Sequence, residues 1–240
     1  LFALIFLALF SMNNAEADDW EPTIELVGSY YTDGNTYSVA ISGNYAYVDD
    51  SWGLKIINIE DPSNLTFAGS YDTNVDVIDV AISGNYAYLA NSWGLKIINI
   101  EDPANPTLAG SYEEEGKTNA TQSVTISGNY AYVADFWNGL VIINIEDPSN
   151  PTFVGSYDTD GAHAVTISGN YAYVADNYGL LAILNIEDPA NPTFVGNYDT
   201  DGYAYGVTIS GNYAYVAAST DGLVILNIED PSNPTLSGSY

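Results

Sequence analysis

The chain contains no cysteine and no arginine, one histidine, one methionine and three lysines in 240 residues. Without cysteine there is no disulfide framework and no thiolate metal site, so stability has to come from buried apolar surface, which a chain of this length can supply. Lys55, Lys96 and Lys117 face 31 acidic residues, and the formal charge is −28. A surface of that sign repels phosphate backbones and anionic lipid headgroups, which argues against nucleic-acid and membrane-surface partners. It suits a salt-screened exterior, or the attraction of divalent cations and cationic partners. The lone His163, with no Gly-x-Ser-x-Gly elbow and no histidine metal motif, leaves no nucleophile–base pair to assign. No enzyme is expected and no cofactor is required. The weakest alternative is a carboxylate-based glycosidase, which needs only two suitably spaced acids.

Long hydrophobic runs are also missing. Leu1 to Phe10 is apolar but too short to span a bilayer, and Ala15-Glu16-Ala17 follows with the small-x-small form of a secretory cleavage site. Residues 1–17 read as a signal peptide that has lost its start, since the chain opens on Leu without a basic leader, and the mature protein would begin near Asp18. A lipid anchor would need a cysteine at that point. The expected location is secreted or cell-surface, with no transmembrane segment and an undetermined oligomeric state.

Turn formers and strand formers are abundant: 21 Gly, 10 Pro and 21 Tyr. They are arranged as a tandem repeat. Ile-Ser-Gly-Asn-Tyr-Ala-Tyr starts at Ile41, Ile82, Ile126, Ile167 and Ile209, each copy followed by Asn-Ile-Glu-Asp-Pro, and the steps between copies are 41, 44, 41 and 42 residues. That period is the range of four-stranded propeller blades.

The fourth repeat shows how one unit folds. Ala164 to Ser168 alternates small and β-branched residues, Gly169-Asn170 forms a tight hairpin turn, and Tyr171 to Val174 returns. A second turn at Asp176 to Gly179 leads into Leu181 to Ile186, apolar almost throughout, as a strand covered on both faces should be. Glu187 to Pro192 is a loop because proline cannot donate to a ladder, and Thr193 to Tyr198 is the outer strand. The blade-like units run over about 28–69, 69–110, 110–155, 155–196 and 196–238, within a repeat region spanning 18–240.

Leu140-Val141-Ile142-Ile143-Asn144 followed by Ile145-Glu146-Asp147-Pro148 resembles the LVIVD repeat family of secreted bacterial and archaeal β-propeller proteins. Copies begin at Leu54, Leu95, Leu181 and Leu223. The chain departs from the pattern with Asn in place of Asp, and with Lys55 and Lys96 in place of Val. The resemblance implies an all-β propeller and little about activity, since propellers host many functions. There are five sets of first, second and third strands but six outer-strand candidates, because residues 23–30 match the outer strand as well as residues 235–240 do. The expected architecture is therefore part of a larger ring.

Comparing repeats separates scaffold from variable surface. From the Asn of Asn-Ile-Glu-Asp-Pro to the Gly of the outer strand the count is 11 in every repeat. All length variation falls in the turns between second and third strands and in the connections between blades, which an antiparallel blade puts on one face. That face is the expected binding surface for a protein or a glycan. It carries Trp52, Trp93, Phe136, Trp137 and Tyr178 in the turns, and Tyr37, Ile78, Gln122, His163 and Tyr205 ahead of the inner strands. These aromatics would suit stacking on sugars or anchoring a protein; composition alone slightly favours the plainer alternative, that they fold over neighbouring blades as core. Asp158-Thr159-Asp160-Gly161 and Asp199-Thr200-Asp201-Gly202 resemble the opening of a calcium loop, so Asp158, Asp160, Asp199 and Asp201 are weak ion-binding candidates. An ordinary acid-glycine turn is the favoured reading of both.

The function expected is an exported binding or interaction scaffold, with a carbohydrate-binding module, with or without calcium, as the alternative.

Overall fold

A computed structural model of the chain describes residues 25–113 and 121–240, so the signal-peptide reading of residues 1–17 and Lys117 lie outside the described residues. The described chain folds into five four-stranded antiparallel sheets, each with its strands in sequence order. Blade 1 comprises β1 (Val39–Ser42), β2 (Tyr45–Asp49), β3 (Gly53–Asn58) and β4 (Thr66–Asp72). Blade 2 comprises β5 (Val77–Ser83), β6 (Tyr86–Asn91), β7 (Gly94–Asn99) and β8 (Thr107–Glu113). Blade 3 comprises β9 (Thr121–Ser127), β10 (Tyr130–Asp135), β11 (Gly139–Asn144) and β12 (Thr152–Tyr157). In blade 4 these are β13 (Ala162–Ser168), β14 (Tyr171–Asp176), β15 (Leu180–Asn185) and β16 (Thr193–Asp199). Blade 5 has β17 (Ala204–Ser210), β18 (Tyr213–Ala218), β19 (Gly222–Asn227) and β20 (Thr235–Ser239).

Successive inner strands β1, β5, β9, β13 and β17 are neighbours, which sets the blades radially around a common axis. Their hairpins turn on glycines in the left-handed region, such as Gly169 at φ 57°, where a side chain would be strained. The inner strand of blade 4 starts at Ala162, two residues before the sequence suggests, because a β-bulge near His163 extends the pairing.

The core lies between blades. In the Tyr-Ala-Tyr strand, the second Tyr of one blade and the Leu and Ile of its third strand face the Ala, Val and Ile positions of the next. Tyr173, Leu181 and Ile183 of blade 4 thus pack on Ala214, Val216 and Leu226 of blade 5. Burying side chains of this size contributes about 1.5–3 kcal/mol each. A second device fixes the spacing. A Cβ on the outer-strand glycine of one blade would meet the proline carbonyl of the next, 2.2 Å away for Gly69 and Pro103, 2.3 Å for Gly110 and Pro148, and 2.5 Å for Gly155 and Pro189. Only glycine permits that approach.

The two ends of the series are covered differently. Gly28 makes the same approach to Pro62, placing the segment before β1 where the outer strand of a preceding blade would lie, whereas a Cβ on Gly238 would meet nothing within 4 Å. Leu223 is 39% exposed while its equivalents Leu54, Leu95, Leu140 and Leu181 are at 0–1%. The blade-1 end is covered differently, with Ala46, Val48 and Ile57 packed under Tyr30 and Leu65. The five sheets form an open arc.

Candidate binding face

Hydrogen bonds divide the loops into two sets on opposite faces. On one face the loop after each third strand is tied to the hairpin of its own blade: Ile59 N–H donates to the Asn44 carbonyl, and Ile100, Ile145, Ile186 and Ile228 repeat the bond. On the other, the turn between second and third strands is tied to the inter-blade connection, as when Ser92 N–H donates to Asp76 O, Asn177 N–H to Gly161 O, and Ser219 N–H to Tyr203 O. The first face is the one whose loop lengths never change. The second is the variable face.

Most of the aromatics singled out on the variable face are exposed, so the alternative that they form core is set aside. Trp52 and Trp137 are 61% exposed, Trp93 46%, Tyr37 and Tyr178 68%, and Tyr205 53%, while Phe136 and His163 are half-buried. A sheet feature invisible in composition explains how they are aimed. In blade 2 Val77 pairs with Asn91 and Asp79 with Ala90, leaving Ile78 as the unpaired extra residue of a β-bulge. The same skip leaves out Gln122, His163 and Tyr205 in blades 3, 4 and 5. A bulge bends the strand and re-aims one side chain. From blade 2 onward each inner strand therefore starts by presenting one residue at the mouth of the arc, and that residue differs from blade to blade. In blade 1, where β1 begins later, Tyr37 holds the corresponding place through its N–H, which donates to both oxygens of Asp49 (2.9 and 3.0 Å).

Tyr37, Ile78 and Gln122 line one cavity of about 830 Å³ together with Trp52 from the first turn. Its polar lining includes Asp33, Asn35, Ser51, Asp76 and Ser92, and no cationic side chain lines it among the described residues. Asn35 and Asp76 escape a reading of the repeats because no other connection carries their residue types at those places, whereas Asp33 aligns with Asp160 and Asp201 in a shared Thr-Asp-Gly. Across blades 3 to 5 the bulge residues His163 and Tyr205 join an aromatic row. Phe136 meets Trp137 edge-to-face at 4.9 Å and His163 at 6.0 Å, His163 meets Tyr205 at 5.2 Å, and Tyr203 stands 6.2 Å from Tyr205. His163 Nε2 is also 3.1 Å from Asn177 Oδ1, which fixes the ring within the row.

The acids near this face have structural duties. Asp135 Oδ1 accepts the Trp137 and Asn138 N–H groups (2.9 and 2.8 Å), and Asp176 Oδ1 those of Tyr178 and Leu180 (2.8 and 3.1 Å). Each holds a turn that displays an aromatic. Burial raises the Asp176 carboxyl above its ordinary value, and its Oδ2 finds no partner among the described residues. Burial likewise pushes Asp49 up to about 6, against the opposing pull of the Ser38 and Tyr37 N–H groups. Asp79 clamps three blades: its carboxylate accepts Ser38 Oγ–H (2.6 Å), Val80 N–H (2.9 Å) and Val124 N–H (2.9 Å). Lys55, which breaks the repeat pattern, pairs with Asp50 at 3.3 Å, and Lys96 pairs with Glu113 at 3.4 Å.

The two acidic turns have ordinary turn geometry. Asp160 N–H donates to Asp158 Oδ1 and Asp201 N–H to Asp199 Oδ1, both at 3.0 Å, with Asp160 and Asp201 in the left-handed region at φ 60° and 57°. All four acids are exposed, and among the described residues no three His, Cys, Asp or Glu side chains converge as a metal-binding group. On the opposite face, Asp61 accepts both the N–H (3.0 Å) and the O–H (2.6 Å) of Ser63, and Asp147 and Asp230 do the same with Ser149 and Ser232. These hydrogen bonds lower the carboxyls of Asp61, Asp147 and Asp230 below their ordinary value. Glu-Asp-Pro is a turn in every blade. The Asn before it substitutes for Asp without charge, since Asn58 Oδ1 accepts the Glu60 N–H at 2.9 Å and the other four copies repeat the bond.

Solved structures with the same architecture are plentiful, and none of these likenesses exceeds the fold. The periplasmic gluconolactonase PpgL of Pseudomonas aeruginosa superposes with a TM-score of 0.76 at 14% identity, over 91% of this chain and 73% of that one. The β-propeller domain of Cps50 (Swd1) from Myceliophthora thermophila gives 0.66 at 12%, over 86% and 73%. The computationally designed Ika8 protein gives 0.69 at 13% over 89% of this chain, which spans only 64% of Ika8. No curated protein sequence matches. The LVIVD repeat is matched five times, at residues 33–73, 76–114, 119–159, 161–200 and 201–240. With nearly the whole described arc built from that unit, the chain belongs to the LVIVD-repeat family of β-propeller proteins.

Proposed function

We propose that this protein is an exported binding module whose ligand or partner sits on the variable face. The observation that carries the reading is the coincidence of sequence variation, β-bulges and exposed aromatics on one face, while the other repeats the same turn in every blade. Exposed rings of this size, held in place by capped turns and bulges, supply contact area with little loss of side-chain freedom on binding. Export rests on the apolar run and the Ala15-Glu16-Ala17 pattern at the start of the chain.

Replacing Trp52, Trp93, Trp137 and Tyr178 together by Ala tests the reading. Screened against mixed arrays of glycans and basic peptides, the variant is expected to lose every hit of the parent while keeping a cooperative thermal transition. Hits that survive the fourfold change would move the binding surface elsewhere.

A further inference from the structure

The cavity and the aromatic row share blade 3. Gln122 of that blade lines the cavity, and Phe136 and Trp137 of the same blade open the row that ends at Tyr203 and Tyr205 in blade 5. On the variable face the bulge residues stand on successive neighbouring inner strands, one per blade from blade 2 onward with Tyr37 in the matching place of blade 1, so the cavity and the row follow one another as a track along the arc.

The chemistry of the track narrows what can lie in it. Trp52 and Tyr37 give flat, exposed rings at the cavity, and the row gives further rings at the other end. In the cavity itself, beside Trp52 and Tyr37, the side chains of Asp33, Asp76, Asn35, Ser51 and Ser92 offer donors and acceptors. Alternating C–H faces and equatorial hydroxyls, the two sides of a pyranose, match rings and carboxylates or amides of this kind. An anionic ligand is opposed by the chain's formal charge of −28. A volume of about 830 Å³ exceeds what one sugar ring fills, and the row continues past it. We infer that the track binds a linear, uncharged glycan, with its sugars stacked on Trp52 and Tyr37 at one end and on Tyr205 at the other. This rests on the variable face being the binding surface and adds the class and the shape of the ligand.

The probes are uncharged linear hexasaccharides (cellohexaose, mannohexaose and a β-1,3-glucohexaose), their disaccharides, trigalacturonate as the anionic control, and hexalysine as the cationic one. Calorimetric titration of the full chain is expected to show one uncharged hexamer binding at least tenfold more tightly than its disaccharide, with no heat from trigalacturonate. Trp52→Ala, Tyr37→Ala and Tyr205→Ala should each weaken that hexamer at least tenfold without moving Tm. No binding by any uncharged hexamer at 10 mM, or equal affinity for hexamer and disaccharide, overturns the inference. Hexalysine binding lost in Trp52→Ala, with no sugar bound, overturns the glycan and leaves the variable face standing. Binding of any probe that survives all three substitutions defeats both.

Discussion

The two faces of this arc are built from the same residue types and use them in opposite ways. On the invariant face an exposed aspartate in each blade caps its turn, as Asp147 Oδ1 does by accepting Ser149 N–H and O–H, and the loop closes over its own hairpin. On the variable face, Asp135 and Asp176 are buried beneath turns that push an aromatic ring outward. The difference teaches that an abundance of acid, or of tyrosine, carries no function by itself. What separates scaffold from surface is which groups the local backbone already satisfies.

The largest way to break the comparison is to unseat the scaffold. Gly69→Ala forces a Cβ to 2.2 Å from the Pro103 carbonyl, which belongs to an invariant-face loop of the next blade. Overpacking of this kind destabilises by about 1–3 kcal/mol, and chemical denaturation should show it as a lowered midpoint at constant slope. Gly238→Ala has open space and should be neutral or slightly stabilising, by about 0.4–1 kcal/mol, through the unfolded chain. Equal losses at both positions would mean that the fifth blade is covered after all.

A finer separation comes from pH. Asp49, under the variable face, is raised from 3.8 to about 6, so the folded chain keeps a proton that the unfolded chain has already released. Its contribution therefore falls as pH rises from about 4 to about 6 and stays lost above. Asp61, Asp147 and Asp230 on the other face are lowered; the stability they add is complete above the ordinary carboxylate value and is lost as pH falls below it. Asp49→Asn should flatten the Tm profile between pH 4 and 6 and leave any loss below pH 4 in place. A profile unchanged between pH 4 and 6 would show that Asp49 is charged in the folded chain.

Much of this was legible because repetition is information. Five copies of the Gly-Asn turn and of an 11-residue spacing specify strand order, strand number and the invariant face without any coordinates. The variable face could be located in the same way, and Trp52, Trp137, Tyr178 and Tyr205 all lie on it. Their exposure could not be read, since a Trp in a turn folds inward or outward according to the capping hydrogen bond beneath it. Nor could the bulges. Ile78, Gln122, His163 and Tyr205 look like the residue before a strand, and only the pairing of Val77 with Asn91 and its counterparts shows them as extra residues inside one. The cavity needed both, and it also draws on Asp76, which no other repeat copies.

The most direct test sets one residue from each face against the other. Trp52→Ala and Asp147→Asn would be compared with the parent chain for Tm and for calorimetric affinity toward the tightest probe of the glycan and peptide panel. Trp52→Ala should lose at least tenfold in affinity at unchanged Tm, and Asp147→Asn should keep the affinity while Tm falls slightly. The reverse pattern, binding lost with Asp147 and kept without Trp52, would contradict the assignment of the variable face as the binding surface.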